Sequence, residues 1–470
     1  MTHHCKTTRN LAVALAATLM LAVSALAQDS ETVLHAFTGH SDGALGGFQL
    51  VADSAGNLYG TTLDGGNTNA ECGLYFGTAG CGVVFKLGPA ANGSWKETVL
   101  HTFTGGKDGG VPVGGVVLDS AGNLYGSTFF GGDNKPANCS YGGDSVGCGV
   151  VYKLSPTAKG PWKETVLYSF TGGSDGSFPF AGVTLDSGGN VYGAAGAGGL
   201  LSCNTGGTGC GIVFKLTSNG QGPWTETVLY AFTGGADGNL PFASVTFDTS
   251  GNLYGTTRIG GDASVSCLGY TGCGVIFELT PTSSGPWTET VLHAFTGGAD
   301  GALPLLGVTL DPDGNVYGTT PFGGDTTQTI CAMQEFPGCG VVFELTKVSE
   351  TWEETVIHTF TGPSDGAEPI APLIFDSAGN LYGGADLGGG YTYGLVFKLT
   401  PAGGSWTKSD LYDFHGGATG SYPQSNLLFD SAGNLYGMAE SSGDMAGCGG
   451  YGCGLVFKLH PEDGSLAGPR

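Results

Sequence analysis

An all-β fold, a seven-bladed β-propeller of four-stranded antiparallel blades, is the architecture that this 470-residue sequence predicts. Three observations predict it. One unit of roughly 60 residues recurs seven times, and a period of that length marks stacked supersecondary units that cannot bury an apolar face alone. Strand-like apolar runs alternate throughout with Gly-, Asp- and Asn-rich turns, and no helical periodicity appears after residue 27. The repeat is also out of phase with the termini. The first unit begins on its ETVL segment at Glu31 and the last stops after FKL at Leu459, so the strand missing from the seventh unit waits at Glu31 to Phe37. A ring closes in this way and removes the exposed edges of an open array. A β-solenoid would also stack strands, but it gives no reason for the offset.

The count rests on the DSAGN-like element, whose aspartate falls at Asp53, Asp119, Asp186, Asp248, Asp311, Asp376 and Asp430, in steps of 66, 67, 62, 63, 65 and 54. Each unit supplies four strands of about five to seven residues. In the second unit these are Gly115 to Leu118, Asn123 to Thr128, Gly149 to Leu154 and Glu164 to Phe170. The turn Asp119 to Asn123 joins the first two, and its Gly122 can take the left-handed conformation of a tight hairpin. The GVVFKL strand is apolar on both faces, as a strand packed between layers should be. ETVLHAF alternates, with Thr, Leu and Ala on one face and Glu, Val, His and Phe on the other, which suits a partly exposed outer strand. All six tryptophans, Trp95, Trp162, Trp224, Trp287, Trp352 and Trp406, precede outer strands, and the fixed place predicts packing between blades, as it does for the tyrosine of each NLYG.

Residues 1–27 read as a secretory signal: Lys6 and Arg9 at the start, an apolar stretch from Leu11 to Val23, and Ala25-Leu26-Ala27 before the cleavage point. A single propeller domain is expected over 28–460 and a short tail over 461–470. With the signal removed, 14 basic residues face 40 acidic ones, so nucleic acid is not an expected partner, nor is insertion into a membrane. A soluble, exported monomer is expected. Twelve cysteines remain, as six local pairs: Cys72 with Cys81, Cys139 with Cys148, Cys203 with Cys210, Cys267 with Cys273, Cys331 with Cys339 and Cys448 with Cys453. In an exported chain these read as disulfides stapling long loops. A zinc site would need four ligands, and each loop offers two thiols with no recurrent histidine.

Strand order places the DSAGN turns on one face of the disc and the FTGG-x-DG and cysteine loops on the other. The second face carries the length variation and the staples, so a binding site is expected there. Six of its loops hold an aspartate at one position, Asp42, Asp108, Asp175, Asp237, Asp300 and Asp365, where the seventh has Thr419. They could form a carboxylate ring for glycan hydroxyls or calcium, or serve only to shape the Asp-Gly turns. Loop aromatics, including Tyr75, Phe76, Phe129, Phe130, Tyr270, Phe336, Tyr391 and Tyr393, are candidates for stacking on sugar. The sixth unit has no cysteines and only the short loop Gly388 to Gly394. His35, His101, His293 and His358 share a column with Tyr168, Tyr230 and Tyr412, which speaks against a general base, and no local catalytic motif is present. No cofactor is expected.

The blocks DSAGNLYGTT, CGVVFKL and W-x-ETVLHAFTGG-x-DG, repeated in fixed order, resemble the GloVer tandem repeat of exported bacterial "choice-of-anchor" proteins. The GNLYG strand is also similar to the NHL type of propeller blade. The resemblance implies a secreted or surface-displayed repeat protein, although no sorting tail is visible here. The functional expectation is a non-catalytic scaffold that binds a glycan or protein through its stapled loop face. The alternatives are a propeller hydrolase or lyase acting on extracellular polysaccharide, and a structural component of the envelope.

Overall fold

The computed structural model describes residues 30–460 except 69–71, 73–78, 134–138, 142–143, 204–206, 219, 221, 268, 284, 328–330, 332–336 and 447. The segment read as a signal, the tail and the aromatics Tyr75, Phe76 and Phe336 lie outside the described residues. The rest forms seven antiparallel sheets of four repeat strands each, joined in sequence order around an axis. We number the blades 1 to 7 by the turn aspartates Asp53 to Asp430. Blade 3 is representative, with strands Thr184–Leu185, Val191–Ala195, Ile212–Thr217 and Thr225–Ala231 running from the axis outward.

Blade 7 is composite, as the phase of the repeat requires. Its first three strands are Leu428–Phe429, Leu435–Ala439 and Leu455–His460, and its outer strand is Ser30–Ala36. Glu31 pairs with Leu459 and Val33 with Phe457, so main-chain hydrogen bonds clasp the two ends of the propeller. A second clasp lies near the axis, where the Asn426 side chain accepts from the Leu50 amide at 2.7 Å and donates to its carbonyl at 3.1 Å.

Each DSAGN turn is built around its carboxylate. In blade 3, Asp186 Oδ1 accepts from the amides of Gly188 and Asn190, both at 2.9 Å, while Oδ2 accepts from the Asn190 side chain at 2.7 Å and the Tyr192 hydroxyl at 3.0 Å. The tyrosine column therefore locks turn to strand as well as packing. Four tryptophans meet a tyrosine of the preceding blade, with ring centroids 6.1 to 6.4 Å apart. Deeper in every blade boundary, the Phe of an outer strand meets the Phe or Tyr of the next blade's FKL strand edge-on, at 5.1 to 5.4 Å, from Phe37 and Phe85 round to Phe414 and Phe457. Seven such edge-to-face contacts form the continuous aromatic part of the core.

Two expectations need correction. The inner strands are two or three residues long rather than five to seven. The chain approaching them passes through a left-handed residue followed, in blades 2 to 7, by proline, as at Phe178 (φ 58°) and Pro179, and proline cannot donate to a ladder. The outer strand also does not alternate strictly. A bulge falls at its leucine in six blades and at Ile357 in blade 5, for instance between Val213 and Phe214 opposite Tyr230 and Val228. The bulge turns Leu229 inward, leaving it 3% exposed, although alternation would place it beside the exposed Thr227.

Candidate functional site

The six loop aspartates are each held by their own turn and strand, and Asp365 is paired as well with Lys408 of the next blade at 3.3 Å. Asp175 accepts from the Thr171 amide at 2.8 Å, from the Thr171 hydroxyl at 2.6 Å and from the Tyr168 hydroxyl at 3.1 Å. Asp237 repeats this with Thr233 and Tyr230. Asp42, Asp108, Asp300 and Asp365 use their own threonines, with His35, His101, His293 and His358 at 3.2 to 3.6 Å. Burial would raise the Asp42 and Asp365 carboxyls, yet their hydrogen bonds, joined at Asp365 by the charges of His358 and Lys408, outweigh it and hold both at about 2. The His/Tyr column thus fastens the turn. Among the described residues, no group of three or more His, Cys, Asp or Glu is placed to hold a metal ion.

All six cysteine pairs are disulfides with the predicted partners. In four of them the sulfurs lie on the first glycine of the adjoining FTG segment, Gly39, Gly105, Gly234 or Gly297; a Cβ on Gly105 would stand 2.6 Å from Cys72 Sγ. Blade 6 solves the same problem differently. There the ring of Tyr393 lies against Gly416, where a Cβ would come within 2.9 Å of it. Tyr391, half exposed, packs on His415 with centroids 3.9 Å apart.

The axis holds a narrow channel with a cavity of about 210 Å³, lined by uncharged residues from all seven blades, among them Gln49, Gly114, Thr184, Ser244, Thr309, Pro372 and Asn426. At its loop-face mouth lies a second cavity of about 290 Å³, bounded by Phe48, Phe129, Phe180, Phe242, Leu305, Leu306, Ile370 and Arg258. Four blades contribute one phenylalanine each. Phe180 sits centrally, 5.7 Å from Phe48, 5.6 Å from Phe129 and 5.0 Å from Phe242.

One repeat column reaches this cavity through Phe129 and Arg258. The residue that follows the second strand's LYGTT-like run is Leu63, Phe129, Gly196, Arg258, Pro321, Asp386 and Glu440 in blades 1 to 7. Arg258 is the one arginine between Arg9 and Arg470. It is partly buried, and its Nε has no hydrogen-bond partner among the described residues. On the blades across the ring, Gln424 Nε2 donates to Asp386 Oδ2 at 2.8 Å and to Glu440 Oε2 at 2.7 Å. Asp386 is 7% exposed and its Oδ1 has no partner among the described residues. Burial first, then the charge of Glu440, drives the Asp386 carboxyl well above the usual range against the opposing pull of Gln424, and burial likewise raises Glu440 and Glu368. This side of the mouth therefore resists carrying several negative charges and offers both donors and acceptors.

The Asp386–Gln424–Glu440 group does not stand out along the sequence, because it joins two blades, and Arg258 shows there only as a lone arginine with no local motif. The available signal is the column itself, which varies in charge and size beside the near-constant LYG.

No curated protein matches the chain. A solved structure similar to it is that of a "putative 6-phosphogluconolactonase" from Bacteroides uniformis, 14% identical, covering 81% of this chain and 88% of that one with a TM-score of 0.47. The family model for the Gloeobacter/Verrucomicrobia repeat matches residues 72–332 and 329–468. With nearly all of the propeller matched, the chain belongs to the Gloeobacter/Verrucomicrobia repeat family.

Proposed function

We propose that this protein is an exported, monomeric, non-catalytic propeller that binds a glycan through its disulfide-stapled loop face. Six disulfides are the bonds of a chain folded in an oxidising compartment, and no helix among the described residues is long and apolar enough to cross a membrane. The observation that carries the reading is the cavity at the channel mouth, where four phenylalanines stand beside the Arg258 side chain. Aromatic rings offer flat apolar surface to the C–H face of a sugar, and a few placed polar groups fix its orientation. The Asp42 column is occupied within its own turns, so the mouth is the better supported location. A glycan array probed with the secreted protein tests this: binding that Phe180→Ala abolishes and Asp175→Ala leaves intact supports the mouth. Binding unaffected by Phe180→Ala would move the site elsewhere.

A hydrolase or lyase acting on extracellular polysaccharide is the second reading, favoured by the pairing of Asp386 with Glu440, since sugar hydrolysis commonly uses two carboxyls. Both carboxyls lean on one amide and Asp386 is nearly inaccessible, which suits positioning better than turnover. New reducing or unsaturated ends from a polysaccharide panel, lost in Asp386→Asn, would reverse that preference.

A further inference from the structure

We infer that the ring the channel mouth accepts carries a carboxylate, as a hexuronate does, and that Arg258 is the residue that selects it. The inference rests on the glycan-binding reading above and narrows it to a substrate class.

The protein has 40 acidic against 16 basic residues, a composition that repels anions in general. Its single propeller arginine nevertheless stands in the wall of an aromatic cavity, at a column position where other blades place Leu, Phe, Gly, Pro or acids. A guanidinium in such a wall loses hydration, and burial lowers its proton affinity, so its presence costs stability unless an anion repays it. Among the described residues no ion pair to Arg258 is found and its Nε is unpartnered. Arginine presents a planar fork that matches a carboxylate with two parallel hydrogen bonds.

The rest of the mouth suits a sugar better than a simple aromatic acid. Arg258 is on blade 4, whereas Asp386, Gln424 and Glu440 are on blades 6 and 7, on the other side of the ring. None of these three lines the aromatic cavity itself, so a ligand anchored by its anionic group at Arg258 would meet them with groups that extend past the phenylalanines and both donate and accept. Hydroxyls meet the second requirement. The volume of about 290 Å³ lies at the lower end of small-ligand pockets and fits one sugar ring over Phe180 and Phe242. A free monosaccharide and the terminal residue of an oligosaccharide share this chemistry.

The test is calorimetric titration of the full secreted chain with D-galacturonate and D-glucuronate, with neutral D-galactose and D-glucose, and with a galacturonate trisaccharide. At least one uronate should bind tenfold or more tightly than its neutral counterpart, with the preference shrinking as salt rises. Arg258→Gln should erase that preference by weakening the uronate at least tenfold more than the neutral sugar, and Arg258→Lys should keep part of it. Phe180→Leu should weaken acid and neutral sugars alike. Trisaccharide binding at least as tight as the monosaccharide identifies a chain end as the source, and weaker binding identifies the free acid. A uronate preference that survives in Arg258→Gln, or a neutral sugar that binds as well as the acid, overturns this inference and leaves the glycan reading standing. Failure of every sugar and of the array overturns both.

Discussion

The Tyr412 hydroxyl donates to Glu31 Oε2 at 2.9 Å, joining blade 6 to the N-terminal strand of blade 7 across 381 residues of sequence. At five other boundaries a glutamate of one blade's outer strand faces the His or Tyr and the Asp of the preceding blade, as Glu97 faces His35 and Asp42, and in blade 6 Lys408 takes that place beside Asp365. The closing boundary therefore has the construction of an internal one. Phe37 and Phe232 are both fully buried and both meet an FKL phenylalanine at 5.2 Å. We predict that Phe37→Ala and Phe232→Ala cost the same, about 3 to 5 kcal/mol each, in equilibrium denaturation. A markedly cheaper Phe37→Ala would show that the first strand is not part of the cooperative unit.

Closure was legible because a repeat displays its missing piece, and the disulfides because each pair lies within one loop. The channel mouth was not. Arg258 and Asp386 occupy equivalent positions 128 residues apart, and sequence pattern reports on neighbours along a strand, not across an axis. The bulge at Leu229 was hidden for a related reason: an extra residue in an outer strand changes which face a side chain takes without changing composition. The interblade phenylalanines were visible as a column, but the ring each one would meet was not.

The pH dependence of stability should be inverted relative to most proteins. Burial pushes Glu31, Glu97, Glu226, Glu289 and Glu354 up to about 7 from 4.5. A carboxyl raised in the folded state contributes stability that is full below its unfolded value and lost as pH climbs through its folded value. Asp42 and Asp365, held at about 2, contribute above 3.8 and lose that contribution as pH falls through 2. The two windows overlap between about pH 4 and 5, where Tm should peak and from which it should decline towards pH 8. Glu97→Gln should flatten the alkaline side. A Tm that rises from pH 5 to 8 would refute the assignment.

Tyr152 is a testable imperfection. It stands where the other six blades have Phe85, Phe214, Phe277, Phe343, Phe397 and Phe457, and its hydroxyl is fully buried with no hydrogen-bond partner among the described residues. An unpaired buried hydroxyl carries a desolvation penalty that no contact returns. Tyr152→Phe should therefore stabilise the propeller by about 1 kcal/mol, seen as a higher denaturant midpoint with unchanged slope. Destabilisation would indicate a partner for that oxygen.

The glycine of each LYG is dictated by the ring stacked over it. A Cβ on Gly193 would stand 2.7 Å from Phe214 Cζ, and one on Gly318 2.5 Å from Phe343 Cζ. Both glycines lie in regular second strands, so the constraint is space rather than backbone conformation. Gly193→Ala should cost about 1 to 3 kcal/mol, and pairing it with Phe214→Leu should recover part of the loss. Strictly additive effects of the two substitutions would show that the ring and the glycine are not in contact.

Blade 6 tests whether a tyrosine can stand in for a disulfide. Removing the Cys203–Cys210 bridge, which closes a short loop, should lower stability by about 2 to 3 kcal/mol in the chain-entropy model. Tyr393 covers Gly416 as the sulfurs cover Gly105 and Gly234, but it restrains nothing in the unfolded chain. Tyr393→Ala should therefore cost less, about 1 to 2 kcal/mol of packing for a partly exposed ring. The two variants should also differ in reducing agent, since a thiol reductant abolishes the first bridge's contribution in the parent and leaves the Tyr393→Ala difference unchanged. Equal losses in both variants, before and after reduction, would mean that the bridges act only as packing.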